Sequence, residues 1–294
     1  MTGQTQRSAT ANSLILANGS LGPLPFAERV AAAAGAGFDA IGLSVWEYDR
    51  LSHEGCDADA MRNILDRHGL RLAELEVFLG FAVSGEAAQV EPIPGLRYTD
   101  AATEARLFEM AEAFDARHLQ AVGTFTTDVL EADAAQAFAG LCDRAAEHGL
   151  LVALEFVPGT NIPDAAVAQR IVTEADRRNG GICVDAWHHF RGRADDALLL
   201  ALRPEQVVMI QLDDGPRTAR HPDFLIDTMQ YRLPPGAGEF DLAHFLRLLW
   251  QVGVDAPVSV EVLSSELAAR PAQEVAALLG DGSRDVIATA RRQA

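Results

Sequence analysis

The sequence predicts one α/β domain folded as a (β/α)8 barrel, also called a TIM barrel. Eight short apolar or β-branched runs alternate with helical patterns along the chain. The runs lie at about 13–18, 38–45, 71–78, 117–122, 150–157, 181–186, 207–212 and 257–263. The length of 294 residues is close to the roughly 250 of a typical barrel. We therefore expect a flexible N-terminal tail over residues 1–12 and a barrel over residues 13–294.

The predicted helices carry an apolar face that suits packing on a parallel sheet. In the stretch 131–148, apolar residues recur every three or four positions, at Ala134, Phe138, Leu141 and Ala145. Gly149 follows this stretch, where a left-handed cap conformation can end the helix before the next strand. An open doubly wound sheet would also alternate strands and helices, and the length would allow two smaller domains. Eight evenly paced units favour a closed barrel.

Composition bears on partners and compartment. The formal net charge is −18, and no lysine or arginine cluster offsets it locally, which disfavours a nucleic acid partner. Cys56, Cys142 and Cys183 form no CxxC pair, so they indicate neither a disulfide framework nor a thiolate zinc site. The start of the chain lacks a basic segment followed by a long apolar one, and no apolar run reaches the roughly 18 residues that a membrane helix needs, so we expect neither export nor membrane insertion. We expect a cytoplasmic protein with a small-molecule substrate and no membrane partner, and we leave a homo-oligomer open.

The stretch Gly35-Ala36-Gly37-Phe38-Asp39-Ala40 matches the dinucleotide pattern GxGxxA in the wrong context. That pattern holds pyrophosphate where a strand precedes it and a helix follows. Here a helical pattern precedes it and a strand follows, so we interpret it as a turn that ends a helix. The sequence also lacks GxxxxGK[ST], HExxH and GxSxG, the usual signals of P-loop, zincin and serine-hydrolase chemistry.

Oxygen-bearing side chains close four consecutive predicted strands. They are Glu155, Asp185, Gln211 and Glu261, separated by 30, 26 and 50 residues. The carboxyl ends of barrel strands share one face, where active sites are built. A carboxylate in a buried strand is costly unless a cation or a proton compensates it. Because three carboxylates and one amide oxygen suit a hard divalent cation, we predict one Mn²⁺ or Mg²⁺ bound by these four residues. Zinc is less favoured, since the set has no His or Cys.

The segments after two of these strands supply candidate substrate contacts. His188 and Arg191 closely follow Asp185, and a histidine there can exchange a proton with a substrate hydroxyl at neutral pH. Arg217 and Arg232 lie in the long segment 213–240 and can bind an anionic or polyhydroxylated substrate. The alternative is that these are a solvated loop histidine and surface arginines. We predict His188, Arg191, Arg217 and Arg232 as substrate-binding residues.

The residues over 150–263 resemble the xylose isomerase-like TIM-barrel superfamily, which groups sugar phosphate isomerases and epimerases with endonuclease IV-like proteins. The matching motifs are Leu154-Glu155-Phe156-Val157-Pro158, Asp185-x-x-His188-x-x-Arg191, Ile210-Gln211-Leu212-Asp213-Asp214, Arg232 with Pro235-Gly236-Ala237-Gly238-Glu239-Phe240-Asp241, and Val258-Ser259-Val260-Glu261. Residues 1–149 share with this superfamily only the alternation of strands and helices. The resemblance implies a (β/α)8 barrel with a metal at the same four residues and His188 close to the substrate.

The resemblance also implies a reaction. In epimerases and isomerases of this group, two metal-bound glutamates flank the substrate carbon, one removing a proton and the other returning it to the opposite face. Here they would be Glu155 and Glu261, catalytic together with His188. A metal on the carbonyl oxygen stabilises the enolate that forms. We therefore predict a metal-dependent isomerase or epimerase of a keto-sugar or related polyhydroxylated carbonyl compound.

Gln211 is a departure from the epimerase pattern. Epimerases of the group commonly have His at this ligand, and Gln is found in some related 3-dehydroshikimate dehydratases. A metal-dependent dehydratase, which shares the proton-removal step and then loses a β-hydroxyl, is therefore the alternative prediction. A non-catalytic sugar-binding barrel is the third hypothesis.

Overall fold

The computed structural model describes residues 13–83, 91–92, 97–125 and 129–293. The strands are β1 Leu14–Leu16, β2 Ala40–Ser44, β3 Arg71–Leu79, β4 His118–Val122, β5 Leu151–Glu155, β6 Gly180–Asp185, β7 Val207–Leu212 and β8 Val258–Val260. The helices are α1 Phe26–Gly35, α2 Val45–His53, α3 Ala58–His68, α4 Ala101–Phe114, α5 Glu131–Glu147, α6 Ala165–Ala175, α7 Ala186–Arg191, α8 Asp196–Leu200, α9 Phe224–Gln230, α10 Leu242–Gln251, α11 Ser265–Ala268 and α12 Ala272–Arg292. The predicted tail 1–12 lies outside the described residues.

The eight strands form one closed parallel barrel in chain order. Closure is made by β1 and β8, where Leu14 pairs with Val258 and Leu16 with Val260. The predicted (β/α)8 barrel is confirmed, and each strand falls within or close to the run that predicted it. Because all strands are parallel, their carboxyl ends meet at one mouth of the barrel.

Aspartate side chains fix where several helices begin. Asp57, Asp100 and Asp164 accept hydrogen bonds from the N–H groups two or three residues into α3, α4 and α6, at 2.9, 2.8 and 3.0 Å. Each cap satisfies an N–H group that has no partner within its helix. Asp185 does the same at the start of α7, where it accepts from the N–H of His188 at 3.3 Å. That cap turns the chain sharply at the end of β6.

The apolar core lies between the barrel and its helices, while the barrel interior is partly polar. Leu154 of β5 and Phe138 of α5 belong to the main apolar cluster. Inside the barrel, Glu74 of β3 and His118 of β4 are fully buried, with Oε2 of Glu74 3.7 Å from Nε2 of His118. In the described part of the chain, no helix combines the length and apolarity needed to span a bilayer.

The long segment after β7 is folded back onto the barrel mouth. Asp214 and Leu233 form an antiparallel bridge, with N–H to O distances of 3.0 and 2.8 Å. The side chain of Asp214 also accepts N–H groups from Gly215, Gly236 and Phe240 at 2.7, 2.9 and 3.1 Å. These contacts hold the segment that contains Arg232 against the strand ends.

Candidate active site and metal centre

The structure brings the four predicted metal ligands to the carboxyl ends of β5 to β8. Glu155 and Asp185 are the last residues of their strands, Gln211 is the penultimate residue of β7, and Glu261 directly follows β8. Asp185 and Gln211 pair in register on neighbouring strands. All four residues are buried, with at most 8% of their surface exposed.

His188 lies among these carboxyl groups. Its Nε2 atom is 3.3 Å from Oε1 of Glu155 and 3.7 Å from Oδ2 of Asp185. Burial lowers the pKa of His188 to about 4, so the imidazole is neutral at neutral pH. Burial would raise the pKa of Asp185, but His188 and Arg232 outweigh this effect and the pKa is lowered. Asp185 is therefore the carboxylate of the cluster that stays ionised.

Arg232 places a guanidinium group among the same carboxyl groups. Its Nη1 atom lies 3.2 Å from Oδ2 of Asp185, 2.6 Å from Oδ2 of Asp213 and 3.1 Å from Oε2 of Glu261. Its Nε donates to the carbonyl of Thr228 at 3.2 Å. Burial alone would lower the pKa of Arg232, but the surrounding carboxyl groups outweigh it and the pKa is raised. Arg232 is thus a permanent cation inside the site.

The site holds more acidic groups than one guanidinium can neutralise. Burial raises the pKa of Glu155 and of Asp213 well above their ordinary values, and repulsion from Asp185 adds to the effect. Burial also raises the pKa of Glu261 to about 8, although Arg232 opposes the change. In the absence of another cation, the cluster relieves its charge by taking up protons.

This donor set fits a divalent cation. Ligand atoms of Glu155, Asp185 and His188 all lie within 4.8 Å of one another. Among the described residues, Oε1 of Glu155 and Nδ1 of His188 are buried without a hydrogen-bond partner. Carboxylate and imidazole donors around an excess of negative charge are the features of a metal site in proteins. The nitrogen donor extends the suitable cations from Mg²⁺ and Mn²⁺ to Zn²⁺.

Gln211 is oriented by two neighbours inside the barrel. Its Oε1 atom accepts hydrogen bonds from the thiol of Cys183 at 3.1 Å and from Nε2 of Gln120 at 3.5 Å. Gln120 also donates to Oε2 of Glu155 at 2.9 Å. Within the described ranges, the buried Nε2 of Gln211 has no acceptor. The amide of Gln211 is therefore linked to the carboxyl cluster through Gln120. A rotation of this amide group would place Nε2, instead of Oε1, next to Cys183.

A cavity of about 260 Å³ opens beside the cluster. Glu155, His188, Arg232 and Glu261 form its polar floor, and apolar residues such as Leu79, Val122, Phe125 and Leu225 form much of its wall. Its size suits a small molecule of one ring, and the apolar wall limits the access of water.

Two predicted substrate contacts lie outside the lining of this cavity. Arg191 is half-buried, with Nε 2.9 Å from Oδ2 of Asp227 and its guanidinium 4.4 Å from the ring centroid of Trp187. Arg217 is exposed, and its backbone N–H donates to Oε2 of Glu239 at 2.8 Å. The structure thus brings together Glu155, Asp185, Gln211, Glu261, His188 and Arg232, but not Arg191 or Arg217.

Several polar residues of the cavity escaped the sequence analysis. Asn18, Ser44, Glu76 and Gln120 line it from β1 to β4 or the segments that follow these strands. The signal was the alternation in Glu74-Leu75-Glu76 and His118-Leu119-Gln120, because polar residues at every second strand position share the inward face. Both pairs lie before the ends of β3 and β4, whereas the predicted metal ligands stand where apolar runs end.

The chain matches the family model for xylose isomerase-like TIM barrels over residues 30–280. The match covers most of the chain, and the protein therefore belongs to this family. The closed barrel and the polar cluster at its strand ends agree with that membership.

Known relatives by sequence are enzymes of two reaction classes. The 3-dehydroshikimate dehydratase of Pseudomonas aeruginosa is 29% identical over 269 residues, which cover 90% of this chain and 40% of the relative. The inosose isomerase of Bacillus subtilis is 33% identical over 138 residues, which cover 46% of this chain and 48% of the relative. The chain spans 40% of the length of the dehydratase, and the matched segment covers less than half of the inosose isomerase.

Solved structures give the same fold at lower identity. The IolI protein, crystallised with a bound zinc atom, is 18% identical with a TM-score of 0.79 and covers 94% of this chain and 98% of its own. The D-allulose 3-epimerase of Methylomonas sp. is 17% identical with a TM-score of 0.69 and covers 93% of this chain and 97% of its own. At these identities the likeness shows the fold alone.

Proposed function

We propose that the protein is a divalent-metal-dependent enzyme that removes a proton next to the carbonyl of a polyhydroxylated compound and then eliminates a β-hydroxyl group as water. The observation that carries the proposal is the meeting of Glu155, Glu261, His188 and Arg232 in one cavity. The sequence alone favours an isomerase. We propose the dehydratase first because two relatives that are similar over 90% of the chain are 3-dehydroshikimate dehydratases.

Glu155, Asp185, Gln211 and Glu261 would hold the cation, with His188 beside them. When bound, a divalent cation makes the C–H next to a carbonyl more acidic and stabilises the negative charge of the enolate.

The two glutamates carry the proton transfers. The carboxylate of Glu155 removes the proton from the carbon next to the carbonyl. The electron pair of that C–H bond forms a C=C bond as the β C–O bond breaks. The leaving oxygen takes a proton from Glu261 and departs as water, so the net change is the loss of one water molecule without any oxidant or reductant. Both residues line the cavity, as this division of roles requires.

Arg232 and the apolar wall serve binding. The guanidinium of Arg232 lines the cavity as a fixed cation and can bind a substrate carboxylate or a carbonyl oxygen. Apolar side chains beside it exclude water, which strengthens these contacts and protects the enolate from unwanted protonation.

An isomerase or epimerase is the second candidate. The 33% identity to an inosose isomerase over 138 residues favours it. It would use the same first step, after which Glu261 returns a proton to the substrate carbon rather than to a leaving hydroxyl. The two candidates therefore differ in products and not in the residues that begin the reaction.

Two parallel assays test the proposal on protein loaded in turn with Mg²⁺, Mn²⁺ and Zn²⁺. Dehydration of 3-dehydroshikimate is followed by the ultraviolet absorbance of the conjugated product. Enolisation without dehydration is followed by deuterium uptake from D₂O into inososes and keto-sugars. We expect absorbance change in the wild type and a loss of at least 1000-fold, on the order of what general acid–base groups contribute, in Glu155→Gln and Glu261→Gln.

Glu266→Gln is the matched control, because Glu266 is an exposed carboxyl group on α11. It should leave the rate unchanged. Deuterium uptake without dehydration would move the isomerase to first place. If a folded, metal-loaded protein gives neither signal, both candidates are contradicted and the sugar-binding barrel is the hypothesis that is left.

A further inference from the structure

A second polar cluster lies on the side of the cavity that the proposed mechanism does not use. Asn18 follows β1, Ser44 ends β2 and Glu76 belongs to β3, and all three line the cavity that Glu155 and Glu261 also line. In a closed barrel of eight strands, β3 lies opposite β7. The cluster therefore lies across the barrel mouth from the ends of β5, β6 and β7, whereas Glu261 follows β8, the neighbour of β1.

The three residues hold one another in place. The backbone N–H of Asn18 donates to Oε1 of Glu76 at 2.6 Å, and its Nδ2 donates to Oγ of Ser44 at 3.2 Å. Ser44 and Glu76 pair in register on neighbouring strands. Arg29 of α1 donates to the carbonyl of Asn18 at 2.9 Å. The backbone of Asn18 is thus fixed at both its N–H and its carbonyl group.

Some hydrogen-bonding capacity in this cluster is not used by the protein. Within the described part of the chain, Oδ1 of Asn18 is buried and has no donor. Glu76 exposes 6% of its surface and lies next to Val77 and near Leu79, which are apolar residues of the same cavity. A carboxyl group on an apolar wall is costly unless something binds it. A ligand hydroxyl group supplies the donor that Oδ1 of Asn18 lacks and a further partner for the carboxyl group of Glu76.

We infer that Asn18, Ser44 and Glu76 form a hydroxyl-binding wall that binds a substrate hydroxyl group on the side of the barrel mouth opposite the ends of β5, β6 and β7. The inference rests on the proposed function, because it assigns the orientation of that substrate. The apolar side chains beside the wall suit the C–H groups of a ring. The substrate class is therefore a cyclic carbonyl compound with ring hydroxyl groups.

The test is a thermodynamic cycle on binding, which needs no turnover. Shikimate, the alcohol that corresponds to 3-dehydroshikimate, is compared with 4-deoxyshikimate and 5-deoxyshikimate by calorimetry on Mn²⁺-loaded protein. We expect the wild type to bind one of the deoxy compounds about tenfold more weakly than shikimate, the scale of one lost hydrogen bond in a buried site. Glu76→Ala should bind shikimate about tenfold more weakly and show no further loss for that deoxy compound.

Glu76→Gln separates recognition from a structural role. It keeps an oxygen for the N–H of Asn18, so we expect it to fold as the wild type does and to recover most of the preference for the hydroxyl group. Glu266→Ala is the control at an exposed carboxyl group. The same discrimination between ligands in the wild type and in Glu76→Ala would overturn the inference, as would a folded wild type that binds none of the three.

The outcome separates the wall from the reaction. If the binding cycle shows coupling between Glu76 and the ligand hydroxyl group but the wild type does not dehydrate 3-dehydroshikimate, the hydroxyl-binding wall is supported and the proposed reaction is rejected. If the wild type dehydrates 3-dehydroshikimate but the binding cycle shows no such coupling, the reaction is supported and the hydroxyl-binding wall is rejected.

Discussion

Nη1 of Arg232 lies 2.6 Å from Oδ2 of Asp213, and both side chains are buried. The same nitrogen contacts Asp185 and Glu261, so one guanidinium compensates several carboxyl groups. Arg232 is therefore the internal counter-ion of the site as well as a group that faces the cavity. Its removal should affect stability and metal affinity in opposite directions.

Arg232→Met tests this double role. Removing one partner of a buried ion pair leaves uncompensated carboxylates, so we expect the free energy of unfolding to fall by about 3–5 kcal/mol without metal. A divalent cation should recover part of that loss, because it can replace the missing positive charge. Urea denaturation with and without Mn²⁺ measures both effects. Arg217→Met, at an exposed position, should change neither. A metal-free Arg232→Met variant as stable as the wild type would contradict the counter-ion role.

His189 should make stability depend on pH. The imidazole of His189 lies near the rings of Phe190 and Phe245, with ring-centroid distances of 5.2 and 5.7 Å. Burial lowers the pKa of His189 to about 4. The unfolded chain, with a histidine pKa near 6.5, binds a proton that the folded chain does not. This stabilisation is full above about pH 6.5 and is lost as the pH falls toward 4, by up to about 3 kcal/mol.

Comparison with His189→Gln isolates this contribution. The difference in unfolding free energy between the two proteins, measured in urea at several pH values, should shrink as the pH falls from 7 to 4.5. His188 is present in both proteins, so its own titration cancels. A difference that stays constant over this range would contradict the assigned protonation.

The three cysteines should differ in reactivity. Burial raises the pKa of the Cys142 thiol to about 12 and that of Cys183 well above its ordinary value, whereas Cys56 is only half-buried. Because the thiolate is the reactive form, a disulfide reagent at pH 8 should modify one thiol rapidly in the native protein and all three after unfolding. Cys56→Ser should remove the rapid phase. Rapid native modification of Cys183 would mean that the barrel interior opens to solvent.

The barrel and the meeting of four strand-end residues at its mouth could be predicted from sequence for the same reason. Parallel strands buried on both faces give continuous apolar runs, and a carboxylate that ends such a run, as Glu155 does, stands out against them. The register of a closed barrel then places these strand ends together without further information. Periodicity and strand ends are local properties that a single sequence displays.

The rest of the site depends on contacts that no local pattern encodes. Arg232 reaches the cluster because the segment after β7 folds back through the bridge between Asp214 and Leu233. Arg191 contacts Asp227 and does not line the cavity, although it lies in the same short helix as His188. Glu76 was visible only as alternation within a strand. Tertiary folding of the loops decides which of these charges meet a substrate.

Metal content tests the central claim most directly. Wild type, Glu155→Ala, Glu261→Ala and the control Glu266→Ala are purified, stripped, reloaded with Mn²⁺, dialysed and analysed by elemental mass spectrometry, with circular dichroism to confirm folding. We predict about one metal ion per chain in the wild type and the control, and loss of the ion in both site variants. A folded wild type that retains no divalent cation, or site variants that bind it as tightly as the wild type, would contradict the account.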